Sequence, residues 1–101
     1  MKAVVERPRF SPFLEVVKTY QVYLIENPSG RHYIGLSEDV GKRLADHNAG
    51  VSKWTAKHGP WHLVWTSKVM NLSDARHLEN ALKRQKGGDG LARLLEAYKG
   101  S

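Results

Sequence analysis

Two short apolar segments joined by a turn constrain the fold of this chain more than any other feature. Residues 19–26 (TYQVYLIE) alternate in polarity and are rich in Tyr, Val and Ile, which is typical of a β-strand. Residues 27–30 (NPSG) place Pro and Gly at the second and fourth positions that a type I turn prefers. Residues 32–36 (HYIGL) form the returning apolar segment. The sequence therefore predicts a β-hairpin.

Residues 37–50 (SEDVGKRLADHNAG) carry the signals of a first helix. Ser37 is a residue type that caps helices, and Glu38 and Asp39 follow it where the helix dipole favours acids. Gly50 then follows the predicted end of the helix. Val40, Leu44 and His47 lie along one side of the predicted helix.

Three further elements are predicted after a loop at residues 51–60 (VSKWTAKHGP). Residues 61–66 (WHLVWT) are predicted to form a third strand. A helix is predicted within residues 71–86, starting near Ser73, and another within residues 91–99. Their apolar residues recur at helical spacing and are Ala75, Leu78, Leu82, Leu91, Leu94, Leu95 and Tyr98.

The predicted order β-β-α-β-α-α defines an α+β fold, in which helices flank a small, three-stranded, mainly antiparallel sheet. Residues 19–101 are assigned to this domain, because a chain of 101 residues is close to the common size of one domain. Residues 1–18 contain Pro8 and Pro12 and are predicted to form an arm, either a short helix or partly disordered.

The charge balance favours a polyanionic partner. Sixteen Lys and Arg against ten Asp and Glu give a net charge of +6 and a pI near 9.8. Such a domain attracts nucleic acid, although a solvated basic surface explains the same charge. The absence of Cys excludes a disulfide framework and a thiolate metal site. With no segment of signal-peptide or membrane-spanning character, we expect a soluble, cytoplasmic protein.

The hairpin carries one tyrosine in each arm, and their relation depends on the register. If Gly30 closes the turn as a bulge residue, Tyr23 pairs with Gly35, and Tyr23 and Tyr33 share a face. Gly35 would then leave open space opposite Tyr23. In a tighter loop Leu24 faces Tyr33 instead, and the tyrosines separate. We favour the bulged register; two strand aromatics that fill a core remain the alternative interpretation.

The two longer predicted helices carry further candidates for chemistry. Arg43 and His47 lie four residues apart and so on neighbouring surface, where they suit phosphate binding or proton transfer. A solvated helix face is the alternative. Glu79 lies beside an apolar stripe, where its carboxylate could hold a divalent ion. Equally, Glu79 could form a helical ion pair with Lys83.

Aromatic and basic residues interleave in the predicted loop, as they do on surfaces that bind single strands. Trp54 could instead cap the core. Gly-rich phosphate loops, the HExxH motif and a serine nucleophile elbow are all absent from the sequence. The residues predicted to contact nucleic acid are Lys42, Lys53, Trp54, Lys57 and Lys83.

The order of these motifs resembles that of the GIY-YIG nuclease superfamily, in particular its small, stand-alone, single-domain members. Residues 21–23 (QVY) match the first motif and residues 33–35 (YIG) the second. Residues 37–50 are similar to the family segment that carries Arg-Leu and His-Asn. Residues 54–65 (WTAKHGPWHLVW) resemble a Thr, Pro and Leu-Val pattern, and residues 75–86 match the helix that holds the catalytic acid.

The resemblance implies a single-metal phosphodiesterase that cleaves DNA, in DNA repair or DNA processing. Tyr23 and Tyr33 would orient or deprotonate the attacking water. Arg43 would stabilise charge on the phosphoryl oxygens, and His47 would assist proton transfer or phosphate binding. Glu79 would anchor one divalent cation, Mg²⁺ or Mn²⁺, near the leaving oxygen.

The likeness runs from residue 19 to about residue 86 and has three departures. Gln21 replaces the glycine of the first motif, and Leu36 lies where some branches have a lysine that could activate water. Residues 87–90 (GGDG) replace a denser basic stretch. Two alternatives therefore stay open: a non-catalytic nucleic-acid-binding module of the same fold, and a protein-interaction domain that uses its Trp-rich face.

Overall fold

The computed structural model describes residues 18–85 and 88–100. Over these residues it contains one three-stranded antiparallel sheet and four helices, which confirms the predicted α+β class. The arm predicted for residues 1–18 lies outside the described residues, apart from Lys18. In chain order the elements are β1 (Gln21–Glu26), β2 (His32–Ser37), α1 (Val40–Asn48), α2 (Lys53–His58), β3 (His62–Thr66), α3 (Leu72–Arg84) and α4 (Asp89–Tyr98).

The sheet has β1 at its centre, with β2 and β3 antiparallel to it on either side. In the hairpin, Tyr23 pairs with Gly35 and Ile25 pairs with Tyr33, which confirms the bulged register. The turn closes with the Gly30 N–H donating to the Asn27 carbonyl oxygen at 3.0 Å. Gly30 has a φ of 83°, a conformation that glycine adopts without steric strain.

Alternate side chains of β1 point into two cores on opposite faces of the sheet. We call the first the aliphatic core; α3 supplies most of it, and leucines of α4 pack against it. We call the second the aromatic core; it lies on the side of α1 and also receives Tyr33 and Leu44. The buried members of the aliphatic core are Val22, Ala75, Leu78 and Leu82, and those of the aromatic core are Tyr23, Ile25, Val40 and Trp61.

Helix α1 begins at a different cap from the one that the sequence predicts. Asp39 is the N-cap, and its side chain accepts a hydrogen bond from the Lys42 N–H at 3.0 Å. Ser37 supports this cap, because its Oγ accepts a hydrogen bond from the Asp39 N–H at 2.9 Å. The predicted Ser37 cap was wrong, and so was the placing of Glu38 and Asp39 in the first helical turn.

Helix α3 begins close to the predicted position. Asn71 caps it by accepting a hydrogen bond from the Asp74 N–H at 2.8 Å, so the helix starts one residue before Ser73. Its buried residues are the three that the apolar spacing predicts. No helix among residues 18–85 and 88–100 is long and apolar enough to cross a membrane.

The segment predicted as a loop contains the short helix α2. That prediction was wrong, and the observed order is β-β-α-α-β-α-α. Helix α2 buries only Thr55, so apolar packing does not hold it against the rest of the domain. Tertiary bonds hold the helix instead: Asn27 Nδ2 donates to the His58 carbonyl oxygen at 2.7 Å. Trp61 Nε1 likewise donates to the Thr55 carbonyl oxygen at 2.7 Å. Such long-range partners override local propensity.

Candidate active site

The two motif tyrosines lie on one face of the hairpin, with ring centroids 6.4 Å apart. Tyr23 is 1% exposed, whereas Tyr33 is partly exposed. The prediction of open space at Gly35 was wrong. The Tyr23 ring covers Gly35 so closely that a Cβ there would lie 2.5 Å from Tyr23 Oη. The missing side chain of Gly35 therefore makes room for the Tyr23 ring.

A chain of hydrogen bonds connects Tyr23 to α1 and α2. Tyr23 Oη lies 2.8 Å from His47 Nε2, and His47 Nδ1 lies 3.0 Å from Thr55 Oγ1. The Thr55 hydroxyl donates its own proton to the Ser52 carbonyl oxygen at 3.3 Å, so it is an acceptor toward His47. His47 Nδ1 therefore carries the proton, and His47 Nε2 accepts the hydrogen bond that Tyr23 donates.

Burial raises the pKa of Tyr23 to about 12. Tyr33 contributes to this increase, Arg43 acts in the opposite direction through its N–H groups and its charge, and Glu79 adds a smaller increase. The charges of Arg43 and Glu79 therefore both act on the Tyr23 hydroxyl. The charge of Arg43 favours the phenolate form of Tyr23, but burial outweighs it. Tyr23 is thus a neutral hydroxyl near neutral pH.

His47 is a buried neutral base. It is 1% exposed, and burial followed by the charge of Arg43 lowers its pKa, while Asp46 acts in the opposite direction. Arg43 is partly exposed, with Nη1 4.0 Å from Asp46 Oδ2. The site therefore combines a buried proton acceptor, His47, with a partly exposed cation, Arg43.

Glu79 lies on α3 with 14% of its side chain exposed. Its Oε2 lies 3.2 Å from Lys83 Nζ, so the helical ion pair that was the alternative to a metal role is present. Among residues 18–85 and 88–100, no group of three or more His, Cys, Asp or Glu residues could hold a metal ion. A cation at Glu79 would take its other ligands from water and phosphate oxygens, as Mg²⁺ commonly does. A single acidic ligand at the site is compatible with that arrangement.

Three of the residues predicted to bind nucleic acid share helix α2. Lys53, Trp54 and Lys57 are all exposed there. Trp54 lies over the edge of the aromatic core, with its ring centroid 5.9 Å from that of the buried Trp61, and it is still 42% exposed. These side chains therefore form a surface next to the tyrosine site.

The other two predicted nucleic-acid contacts lie on α1 and α3, and both make ion pairs. Lys42 Nζ lies 3.6 Å from Asp46 Oδ2, and Lys83 pairs with Glu79. Both lysine side chains remain more than half exposed. They can therefore still reach a phosphate by exchanging one anion for another.

Sequence reasoning missed the residues that orient the site. Thr55, which sets the tautomer of His47, lay inside the predicted loop. Asn48 Nδ2 donates to the Trp61 carbonyl oxygen at 2.9 Å, and Asn48 Oδ1 accepts from the Trp61 N–H at 2.7 Å. The His-Asn pair at residues 47–48 was the available signal, but a motif does not identify its distant partners.

Comparison with known families places most of the chain within one family model. Residues 19–91 match the model of a family described as the GIY-YIG catalytic domain. The matched range contains all three strands and helices α1 to α3. It also contains every residue that the sequence nominates for catalysis, metal binding or contact with nucleic acid.

The chain is also similar to curated proteins that carry the name UPF0213 protein. The one from Aeromonas salmonicida is 37% identical over 67 residues, which cover 65% of this chain and 49% of that protein, so this match spans only half of the relative. The one from Halobacterium salinarum is 36% identical over 66 residues, covering 64% of this chain and 86% of that protein. The one from Cupriavidus pinatubonensis is 30% identical over 80 residues, which cover 78% of this chain and 89% of that protein. No solved structure matches the chain.

Proposed function

The chain belongs to the GIY-YIG family, and we propose that it is a metal-dependent endonuclease that hydrolyses phosphodiester bonds in DNA. The family implies nuclease activity in general, with DNA as the substrate, and its nucleases generally use a divalent metal. One observation carries the proposal for this chain: the Tyr23 hydroxyl bonds to His47 beside Tyr33, and the charges of Arg43 and Glu79 both act on its pKa. We further propose that the enzyme acts in the cytoplasm, in DNA repair or DNA processing.

Tyr23 acts in this proposal as a proton relay and not as a preformed phenolate. The attacking water gives a proton to Tyr23 Oη while the Tyr23 proton passes to His47 Nε2 across the 2.8 Å hydrogen bond. The water oxygen forms the new bond to phosphorus, and the leaving oxygen departs with the electrons of the broken P–O bond. Because Tyr23 is neutral before and after this exchange, its high pKa does not oppose the step.

His47 is the final proton acceptor in this scheme. Its Nε2 is unprotonated because its Nδ1–H is directed to Thr55, and its lowered pKa keeps it in the neutral, basic form. Once His47 has accepted the proton it can return it to the leaving oxygen or to solvent. A His-assisted transfer of this kind contributes about 10²- to 10⁴-fold to a rate.

Arg43 and Tyr33 position the phosphate. The guanidinium of Arg43 is a planar donor that suits two phosphoryl oxygens, and its partial exposure lets substrate reach it. Tyr33 lies with its ring centroid 5.0 Å from that of His47, so its partly exposed ring borders the relay. Binding the phosphate here would place the attacked atom beside the Tyr23 hydroxyl.

Glu79 would hold the divalent cation, which we propose to be a single Mg²⁺ or Mn²⁺. When bound, the cation would supply Lewis-acid stabilisation of charge on the scissile phosphate. In this structure Lys83 Nζ lies 3.2 Å from the Glu79 carboxylate. If Glu79 bound the cation instead, Lys83 would be free to pair with a DNA phosphate.

A cleavage assay with matched variants tests this proposal. Wild-type protein, Glu79→Gln and Glu96→Gln are incubated with single-stranded, duplex and branched DNA, with Mg²⁺, Mn²⁺ or EDTA. Glu96 is the matched control because it also forms a Glu–Lys pair, with Lys99 at 2.9 Å, on helix α4. We expect cleavage that EDTA abolishes, that Glu79→Gln lowers by about 10²-fold or more, and that Glu96→Gln leaves unchanged. Binding without cleavage by the wild-type protein would favour the non-catalytic module.

A further inference from the structure

Trp54 is an exposed tryptophan at the edge of the candidate active site. It is 42% exposed, whereas Trp61 in the same region is 3% exposed. One ring contact is a near-parallel stack with His58, at 4.3 Å between centroids and an angle of 26°. A large aromatic surface that stays open to solvent is unusual for core packing and is typical of a binding surface.

An uninterrupted aromatic path leads from the relay to Trp54. The Tyr33 centroid lies 5.0 Å from that of His47 and 6.1 Å from that of Trp54. Tyr33 is therefore the shared neighbour of the relay and of Trp54. A nucleotide next to the attacked phosphate would lie over this path.

Helix α2 presents Trp54 on a fixed backbone. Asn27 binds the carbonyl oxygen of His58, and Trp61 binds that of Thr55, each at 2.7 Å. Thr55 in turn is bonded to His47. The backbone that carries the tryptophan is thus ordered before any ligand binds, which lowers the entropic cost of association.

Positive charge surrounds this aromatic surface. The Arg31 guanidinium carbon lies 5.9 Å from the Trp54 ring centroid, and Lys53 and Lys57 are exposed on the same helix. Helix α2 itself contains no acidic residue. Aromatic rings between cations that can meet phosphates are the arrangement by which proteins bind single strands.

We propose that Trp54, through the part of its ring that His58 and Arg31 leave exposed, stacks on the base of an unpaired nucleotide next to the phosphate that is cleaved. The reason for an unpaired nucleotide is geometric, because a duplex hides the faces of its bases within its own stack. This inference rests on the proposed function for the location of the scissile phosphate. It adds that the substrate has a single-stranded segment at the cleavage site.

Equilibrium binding without cleavage tests the stacking. A Glu79→Gln background is titrated, in EDTA, against a fluorescein-labelled oligonucleotide in single-stranded and in duplex form, and anisotropy is measured. We expect Trp54→Ala to weaken single-strand binding by about 5- to 150-fold, while Trp54→Phe keeps most of the affinity. Duplex binding should change little in both variants. Tyr98→Ala, at an exposed aromatic residue on α4, is the control and should leave both affinities unchanged.

Single abasic sites identify the stacked base. The parent protein should lose affinity when one particular base is removed, and Trp54→Ala should be insensitive to that removal. Lys57→Ala should instead weaken both DNA forms and reduce the single-strand salt slope by about 0.7. The proposal is overturned if both Trp54 variants bind single strands like the parent, or if Trp54→Ala weakens single-strand and duplex binding equally. If the binding results are as expected but the wild-type protein does not cleave DNA, the proposed nuclease function is refuted and the stacking at Trp54 is not.

Discussion

The two cores of this small domain differ in chemistry although the same strand separates them. The aliphatic core is built from Val22 and three residues of α3. Buried polar side chains pack around the aromatic core. Of the four buried polar residues among those described, Asn27, His47 and Thr55 belong to this side, and the fourth, Ser67, bonds to backbone at the end of β3.

The difference separates the residues that mainly stabilise the fold from the residues suited to chemistry. A buried polar group costs free energy unless it is hydrogen-bonded, so a core needed only for stability is better built from apolar residues. The aliphatic core follows that rule. On the aromatic side Tyr23, His47 and Thr55 satisfy one another in a directed chain, and that direction is useful for moving a proton. Substitutions on the two sides should therefore separate activity from stability.

The largest expected effect is on activity, for Tyr23→Phe on the aromatic side. The substitution removes the relay hydroxyl and keeps the ring, so the cleavage rate should fall by about 10²- to 10⁴-fold. The free energy of unfolding should fall by about 1–3 kcal/mol, because His47 Nε2 loses its donor. Cleavage kinetics and urea unfolding of the same preparation provide the two numbers. A variant that retains wild-type cleavage would contradict the relay.

The largest expected effect on stability is for Leu82→Ala on the aliphatic side. Leu82 is 1% exposed, and its truncation should lower the free energy of unfolding by about 2–5 kcal/mol. The folded fraction should cleave DNA at the wild-type rate, since no site residue is changed. Denaturation curves give the stability, and the rate is measured at a temperature where the variant is folded. A loss of activity larger than the unfolded fraction explains would mean that the two cores are coupled.

Gly35→Ala tests whether the missing side chain at position 35 is needed to accommodate the Tyr23 ring. The added methyl group would meet the Tyr23 ring at 2.5–2.7 Å, so the ring has to move. We expect a loss of about 1–3 kcal/mol in stability, as for other overpacked sites, together with reduced cleavage. Thermal unfolding and the cleavage assay report the two effects. Wild-type values for both would mean that the ring can relocate freely, and the fixed geometry of the relay would then be wrong.

The smallest effect concerns the pH dependence of stability at His47. Its pKa is lowered in the folded protein, so as pH falls below about 6.5 the unfolded chain takes up a proton that the folded protein does not. Stability from this group is complete above that pH and declines on acidification by at most about 1.4 kcal/mol per pH unit. The decline ends once the pH reaches the lowered pKa. Urea unfolding at a series of pH values gives the free energy of unfolding as a function of pH. This dependence should be shallower for His47→Gln than for the wild type, and equal dependences would refute the buried neutral imidazole.

Local patterns predicted the elements whose signals lie within themselves. The turn residues 27–30 and the bulge at Gly30 led to the correct hairpin register, and the register placed the two tyrosines on one face. The spacing of Ala75, Leu78 and Leu82 identified the buried side of α3. Both signals are local, because turn geometry and helical periodicity depend on neighbours in sequence.

The failures share the opposite cause. Helix α2 was predicted as a loop because Asn27 and Trp61, which hold it, are distant or lie outside it. Gly35 was read as an opening because the path of the Tyr23 ring depends on how that ring packs. Thr55 belongs to the Thr, Pro and Leu-Val pattern of residues 54–65, but that pattern does not show that Thr55 bonds to His47. Each of these features depends on contacts between separate elements.

The amino-acid sequence by itself determined the α+β class, the hairpin register and the candidate set of Tyr23, Tyr33, Arg43, His47 and Glu79. Tertiary structure alone decided which way the proton chain runs, because Thr55 of α2 selects the nitrogen of His47 that accepts from Tyr23. It also decided that Trp54 faces solvent beside Tyr33. The physical reason is that periodicity sets the face on which a residue lies, whereas hydrogen-bond direction and solvent exposure depend on the elements packed against it.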